Sequence, residues 1–228
     1  MTDRDTPKSS KPSTTLVRLS SVEVVAQELR RRILSGELPA GAQLLQVQLG
    51  EELGVSRIPI REALRQLESE GLVTIQSHKG GIVSVLSADE ITELFEIRAK
   101  LEGWLLSVAV PRMTDRHFDE AQSALDEMHN GEVEHWGELN QRFHEALFKA
   151  ANKSACVKIV RQLHRNTDRY VRMHIRMTGG WVRATQEHGA ILELCRARDT
   201  KRAAGALEKH ILSAASELVK HMERASVS

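Results

Sequence analysis

Apolar residues in this chain recur at helical spacing, then briefly at strand spacing, then at helical spacing to the end. Val25, Leu29 and Ile33 share one helical stripe behind Ser20 and Glu23, which are spaced as a capping box. A first helix is therefore expected to about Ser35. Gly36, Pro39 and Gly41 make a turn, and Gln43 to Leu45 can pair as a short strand. A short helix follows over roughly Val47 to Leu53. Gly54 stands where a left-handed residue closes a helix, and Ser56 can cap the next one. Pro59 falls in that helix's first turn, and Ile60, Ala63, Leu64 and Leu67 form its apolar stripe. Leu72 to Gln76 and Ile82 to Leu86 then read as two strands. They flank Ser77, His78, Lys79, Gly80 and Gly81, a basic, glycine-rich hairpin tip.

Ser87 and Glu90 form a second capping box, and from Ala88 onward the strand signal disappears. Six helical segments are expected. The first stops at Pro111, and the second is capped by Thr114 and ends near Asn130 and Gly131. The third covers Glu132 to Ala151. The fourth is long, capped by Ser154 and broken at Gly179 and Gly180. The fifth starts near Trp181, and Asp199 caps the last. The fold class is thus mainly α. A winged helix-turn-helix of three helices and a small β-hairpin precedes an all-α bundle. The expected domains are residues 20–86 and 88–222, behind a polar tail at residues 1–19 of disordered composition.

Charged residues make up 28% and mean hydropathy is −0.33, so a soluble chain is expected. No apolar run approaches the ~20 residues of a membrane span. Residues 1–19 lack the apolar centre of a signal peptide. Cys156 and Cys195 form no disulfide framework or metal pair, which fits a cytoplasmic protein. Net charge is only +1, so any nucleic-acid surface must be local. The local candidate is the helix after Ser56. Arg57, Arg61 and Arg65 repeat every four residues along one edge of it. Helix, tight turn and basic helix form the geometry that places a helix N-terminus in a DNA major groove. The plain alternative is that these arginines only solubilise an exposed face.

Polar residues on the apolar stripes of the second half carry the other candidate chemistry. His144, His188 and His210 lie on the inward faces of three separate helices, with Asn140 one turn before His144. Converging neutral imidazoles suit a zinc-like divalent metal. The alternative is three ordinary core histidines bonded to carbonyls. His174 shares a face with Tyr170, Val171 and Met177 and is a reserve candidate for the same cavity. His117, His129, His135, His164 and His221 read as solvated. Arg98 lies on a stripe with Leu94, Leu101 and Leu105, where an unpaired guanidinium is costly. Its partner is Glu102, Glu96 or another acid across the core, or the carboxylate of a bound ligand. A helical metallohydrolase is the enzymatic alternative. Its only nearby general bases, Glu145 and Glu187, project about 100° from the inward face, which argues against it.

The segment GVSRIPIREAL at 54–64 resembles the signature GVSRTPVREAL of GntR-type winged-helix transcription regulators. Residues 21–86 are similar to that DNA-binding domain throughout, including LESEGLVTI before the wing. The remainder resembles the FCD ligand-binding domain of the FadR subgroup, through EIRAKLE at 96–102, NQRFHEAL at 140–147, EHGAIL at 187–192 and His210. The resemblance implies a dimer on a near-palindromic double-stranded operator. It assigns a guanine contact to Arg57, a DNA contact near it to Arg61, a phosphate contact to Ser56, and the wing tip to His78, Lys79 and Gly80. It also implies a metal held by His144, His188 and His210, with Asn140 where the family usually has Asp. Arg98 matches an arginine that helps hold a carboxylate effector. The expected function is a repressor released by a small organic or sugar acid. A purely structural metal and a larger acyl effector are the variants of that expectation.

Overall fold

A computed structural model describes residues 20–76, 80–130 and 135–226, with side chains for all of these except 169, 173, 174, 176–178, 225 and 226. Helix α1 (Ser21–Ser35) begins at the Ser20/Glu23 capping box, closed by bonds of 2.7 and 3.2 Å. It ends on Gly36 at φ 83, a left-handed cap that a Cβ would strain. Strand β1 (Gln43–Leu44), helix α2 (Gln46–Leu53) and helix α3 (Arg57–Ser69) follow. Gly54 closes α2 at φ 66. Ser56 is the N-cap residue of α3, yet its side chain makes no capping bond. The expected stripe of Ile60, Ala63, Leu64 and Leu67 is buried against Val25, Leu29 and Ile33.

Strands β2 (Val73–Gln76) and β3 (Gly80–Val83) complete an antiparallel sheet of order β1-β3-β2. The register pairs Gln43 with Ile82 and Val73 with Val83. This corrects the expected second strand at 82–86. Gly80 and Gly81 belong to β3, not to the tip, and residues 84–86 leave the sheet. The reason is that β3 is the central strand. A Cβ on Gly80, at φ 102, would strike the Leu44 carbonyl oxygen, and one on Gly81 would stand 2.6 Å from a Val73 methyl. Two glycines let β1 and β2 close on it from either side.

The second half holds six α-helices among the described residues: α4 (Ala88–Ala109), α5 (Asp115–Asn130), α6 (Trp136–Phe148), α7 (Ser154–Thr178), α8 (Trp181–Arg196) and α9 (Thr200–Ser226). Ser87 and Glu90 close the second capping box, and Asp199 caps α9 by accepting from the Arg202 N–H. Thr114 stands directly before α5 as expected, with its N–H donating to His117 Nδ1 and its hydroxyl 2.8 Å from the same atom, whereas Ser154 is already the first helical residue behind an N-cap at Lys153. The third helix is shorter than expected, ending in a 3-10 turn at Lys149–Ala151. Helix α4 packs along α9, and their apolar faces share a second core separate from the first.

Helix α7 touches both cores' domains. Its Tyr170 hydroxyl accepts the Leu86 N–H at 2.6 Å, and Gln162 donates to the Ser69 carbonyl at 3.3 Å. Asn166 lies against Gly71, whose φ of 76 and lack of a Cβ admit it. No helix is long and apolar enough to cross a membrane among the described residues.

Candidate functional site

The outward face of α3 is cationic. Ser56, Arg57, Arg61 and Arg65 are all exposed. Arg61 and Arg65 each lie 3.3 Å from Glu62, at side-chain exposures of 52% and 61%. Bridges that exposed are worth little, so a phosphate can displace the carboxylate. Arg57 lies in a groove with Gln43, Gln46, Gln48 and Gln76, at the meeting of α2, α3 and the sheet. Those amides were missed in the sequence, because only the fold gathers four separated glutamines round one arginine. They can donate to and accept from base edges. His78 and Lys79 lie outside the described residues, whereas Gly80 is buried in β3.

The second constellation is buried in the helical half. His144 on α6, His188 on α8 and His210 on α9 each offer a ring nitrogen within 4.8 Å of the other two. His188 Nε2 and His210 Nε2 are 3.1 Å apart. Two imidazoles bound to one metal at about 2.0–2.1 Å, at angles of about 90–109°, have nitrogens about 2.8–3.4 Å apart, so this pair already has ligand spacing. His144 Nε2, His188 Nδ1 and Asn140 Oδ1 are buried with no hydrogen-bond partner among the described residues. Orphaned buried polar atoms are rare, and two of these, His144 Nε2 and Asn140 Oδ1, belong to residues that line one cavity with His210, where they fit a cation; His188 Nδ1 is the other nitrogen of a ring whose Nε2 faces His210.

Outer partners orient two of the rings. His144 Nδ1 donates to Glu102 at 2.8 Å, and His210 Nδ1 donates to Glu187 at 2.6 Å. Each bond fixes the tautomer that leaves Nε2 as a lone pair. His188 instead packs on aromatic rings, with centroids 4.6 Å from Phe143 and 6.0 Å from Trp136. Burial pushes the His144 imidazole down to about 4, against the pull of its Glu102 bond. Burial, then the charges of His210 and His144, hold His188 well below the usual range. Both are neutral at pH 7, the form that binds metals. Asn140 adds no charge, but Glu102 and Glu187 supply two negative charges one bond further out. The residues therefore fit a divalent ion.

Arg98 is 4% exposed and Glu102 fully buried. Arg98 Nε donates to Glu102 at 2.9 Å and one terminal nitrogen to Thr167 at 3.1 Å. Burial opposes ionisation of Glu102, but His164 and Arg98, with hydrogen bonds from both histidines, outweigh it and hold its carboxyl well below the usual range. His164 corrects the expectation that it is solvated. It is 6% exposed, and its Nε2 stands 2.9 Å from Glu102 and 3.2 Å from Arg98. One Nε2 cannot donate to the carboxylate and accept from the guanidinium. The carboxylate is the stronger partner, so the second terminal nitrogen of Arg98 is left facing a donor. Glu102, His144 and His164 also have ligand spacing. With Arg98 cationic against two of them, they form a hydrogen-bonded network and not a second metal site.

Arg98, Asn140, His144, Glu187 and His210 line one cavity of about 40 Å³, walled by Phe95, Trp136 and Ile175. That is room for an ion and a few waters. A multi-carbon acid requires the walls to move. Glu187 lines the cavity and binds His210, although its position on the helical wheel pointed it away. A long flexible side chain spans that angle. Glu145 pairs with Arg161 on the surface at 2.8 Å, and the side chain of His174 lies outside the described residues.

Residues 93–213 match the FCD domain, and residues 21–83 match the family described as bacterial regulatory proteins, gntR family. The HTH-type transcriptional regulator BphR of Paraburkholderia xenovorans (strain LB400) is 30% identical over 209 residues, 86% of this chain and 84% of BphR. The HTH-type transcriptional repressor GlaR of Escherichia coli (strain K12) is 27% identical over 198 residues, 81% of this chain and 90% of GlaR. The HTH-type transcriptional regulator YdhC of Bacillus subtilis (strain 168) is 33% identical over 125 residues, 53% of this chain and 56% of YdhC. The solved structure of E. coli McbR/YncC superposes with a TM-score of 0.76 over 90% of this chain and 100% of that one. At 21% identity, this is a likeness of fold.

Proposed function

Because the chain belongs to the GntR family of bacterial regulatory proteins and carries an FCD domain, we propose that it is a cytoplasmic, dimeric repressor released by a small carboxylate. The family is one of DNA-binding transcription regulators, not enzymes, and a relative, GlaR, is a repressor. Residues 20–86 bind a near-palindromic operator, with Arg57 at a base edge, Arg61 on the DNA beside it, and Ser56, Arg65, His78 and Lys79 at the backbone. Residues 88–222 dimerise the chain and receive the effector.

The observation that carries this reading is the pair of unpartnered buried atoms, Asn140 Oδ1 and His144 Nε2, on residues that line one cavity with Arg98 and His210. His144, His188, His210 and Asn140 would hold a divalent ion, which supplies positive charge toward a carboxylate. Arg98 orients that carboxylate with the terminal nitrogen that His164 leaves unsatisfied. His174 is the further effector contact. Helix α7 carries His164 and Thr167 toward Arg98, and Gln162, Asn166 and Tyr170 toward the winged domain. A ligand that moves α7 therefore moves the reading heads. A hundredfold loss of DNA affinity requires a preference of ~2.7 kcal/mol for the non-binding arrangement.

The small cavity favours a second reading, in which the metal is purely structural. A thermal-shift screen of organic acids, with and without chelator, separates the two. Stabilisation by a carboxylate that vanishes on chelation supports the effector site. Stabilisation by metal alone, with no acid adding to it and none releasing DNA, supports the structural metal.

A further inference from the structure

Ile58 is the second residue of α3 and is 64% exposed, and no large apolar side chain among the described residues is more so. Taking about 100° per residue, it points roughly 170° away from the centre of the stripe of Ile60, Ala63, Leu64 and Leu67. On that outward face it stands three residues before Arg61 and seven before Arg65, and directly after Arg57. An aliphatic side chain thus occupies the leading end of the cationic face of α3. An isolated exposed isoleucine needs no explanation elsewhere. Here the surface around it is to be pressed against a polyanion, and its burial there must find an apolar partner.

Every base presents hydrogen-bonding groups in the major groove, and only one also presents a hydrocarbon group there. Guanine, adenine and cytosine offer acceptors or donors, whereas thymine adds its C5 methyl. Isoleucine set against the former would strip water from groups it cannot satisfy. We propose that Ile58 is a specificity-determining residue that reads the C5 methyl of a thymine in each operator half-site, beside the base pair contacted by Arg57. This rests on the DNA-binding reading above. Arg57 supplies the hydrogen-bonded part of the code and Ile58 the methyl part.

The test uses the full chain and a duplex selected by it from a random double-stranded DNA library. Each thymine of that duplex is replaced singly by deoxyuridine, which removes only the methyl. Affinities are read by fluorescence anisotropy at fixed salt. One position per half-site is expected to weaken binding about fourfold, the equivalent of ~0.8 kcal/mol for one buried methyl, and about sixteenfold when both are changed. Ile58→Ser and Ile58→Asn, which carry no methyl group, should bind the deoxyuridine and thymine duplexes equally, while Arg57→Ala keeps the methyl preference. A selected duplex indifferent to every deoxyuridine, or a methyl preference that survives in Ile58→Ser and Ile58→Asn, would overturn this inference and leave DNA binding standing. A library that yields no selected duplex would overturn the DNA-binding reading itself, and this inference with it.

Discussion

Replacing Glu102 by glutamine removes one charge from the point on which three donors converge. Arg98 Nε, His144 Nδ1 and His164 Nε2 meet its two oxygens at 2.9, 2.8 and 2.9 Å, and the carboxylate has no exposure to water. Glutamine keeps the shape but turns one of those oxygens into a donor, so at least one N–H faces another. Arg98, 4% exposed, also loses its counter-charge. Removing one partner of a buried ion pair costs about 3–5 kcal/mol. At roughly 2–4 °C per kcal/mol for a chain of this size, the helical domain should melt roughly 6–20 °C lower. The assay is calorimetry or circular dichroism on chelated, full-length protein at pH 7.5. The double variant Arg98→Met with Glu102→Leu should recover most of the loss, because it removes the stranded charge together with its partner. A shift below about 2 °C for Glu102→Gln would refute the reasoning, since Arg98 would then be shown not to depend on this carboxylate. A second readout is metal affinity, expected to fall about 10–100-fold as His144 loses its orienting acceptor.

Four further outcomes are expected. Arg57→Ala should cost about 1–3 kcal/mol of operator affinity and relax preference at one base pair, and an unchanged base preference in a gel-shift series would remove the assignment. His188→Ala should abolish metal uptake by elemental analysis and titration calorimetry while leaving metal-free operator affinity nearly unchanged; retained uptake would exclude His188 as a ligand. For pH, the His144 imidazole sits at about 4 in the folded protein against 6.5 ordinarily, so its contribution is complete above about pH 6.5 and lost as pH falls toward 4. For His144 alone that amounts to about 2 kcal/mol by pH 5, with His188 acting in the same direction and Glu102 only below about 4.5; urea melts of chelated protein that are flat from pH 7 to 5 would contradict it. Tyr170→Phe removes the hydroxyl that accepts the Leu86 N–H and should blunt ligand-driven release of DNA without weakening ligand binding; an unaltered release curve would take α7 out of the coupling.

Local rules read well wherever neighbours in sequence are neighbours in space. The two capping boxes, the Gly54 turn, the Asp199 cap and the α3 stripe depend on residues within one or two turns, and all were legible. Rules that need a competitor to be absent read less well. Ser56, Thr114 and Ser154 each have a capping residue's chemistry, yet Ser56 makes no side-chain capping bond, Thr114 precedes its helix but turns its hydroxyl to His117, and Ser154 is inside its helix. Gly80 and Gly81 looked like turn residues because glycine serves both turns and crowded strands. Only the placement of β3 between two partners distinguishes the uses.

The inward direction of His144, His188 and His210 was set by periodicity, because a helix's buried stripe is a property of its own residues. That they meet within 4.8 Å is a property of how α6, α8 and α9 pack, which no single helix carries. The same division explains His164. Its helix gives it a half-polar setting, and it is buried because α4 brings Arg98 and Glu102 to it across more than sixty residues of chain. Chemistry and facing were written in the order of amino acids. Which charges neutralise one another, which nitrogens stay without a partner and how much room is left between them followed from long-range packing, because those depend on distances between segments that share no local constraint.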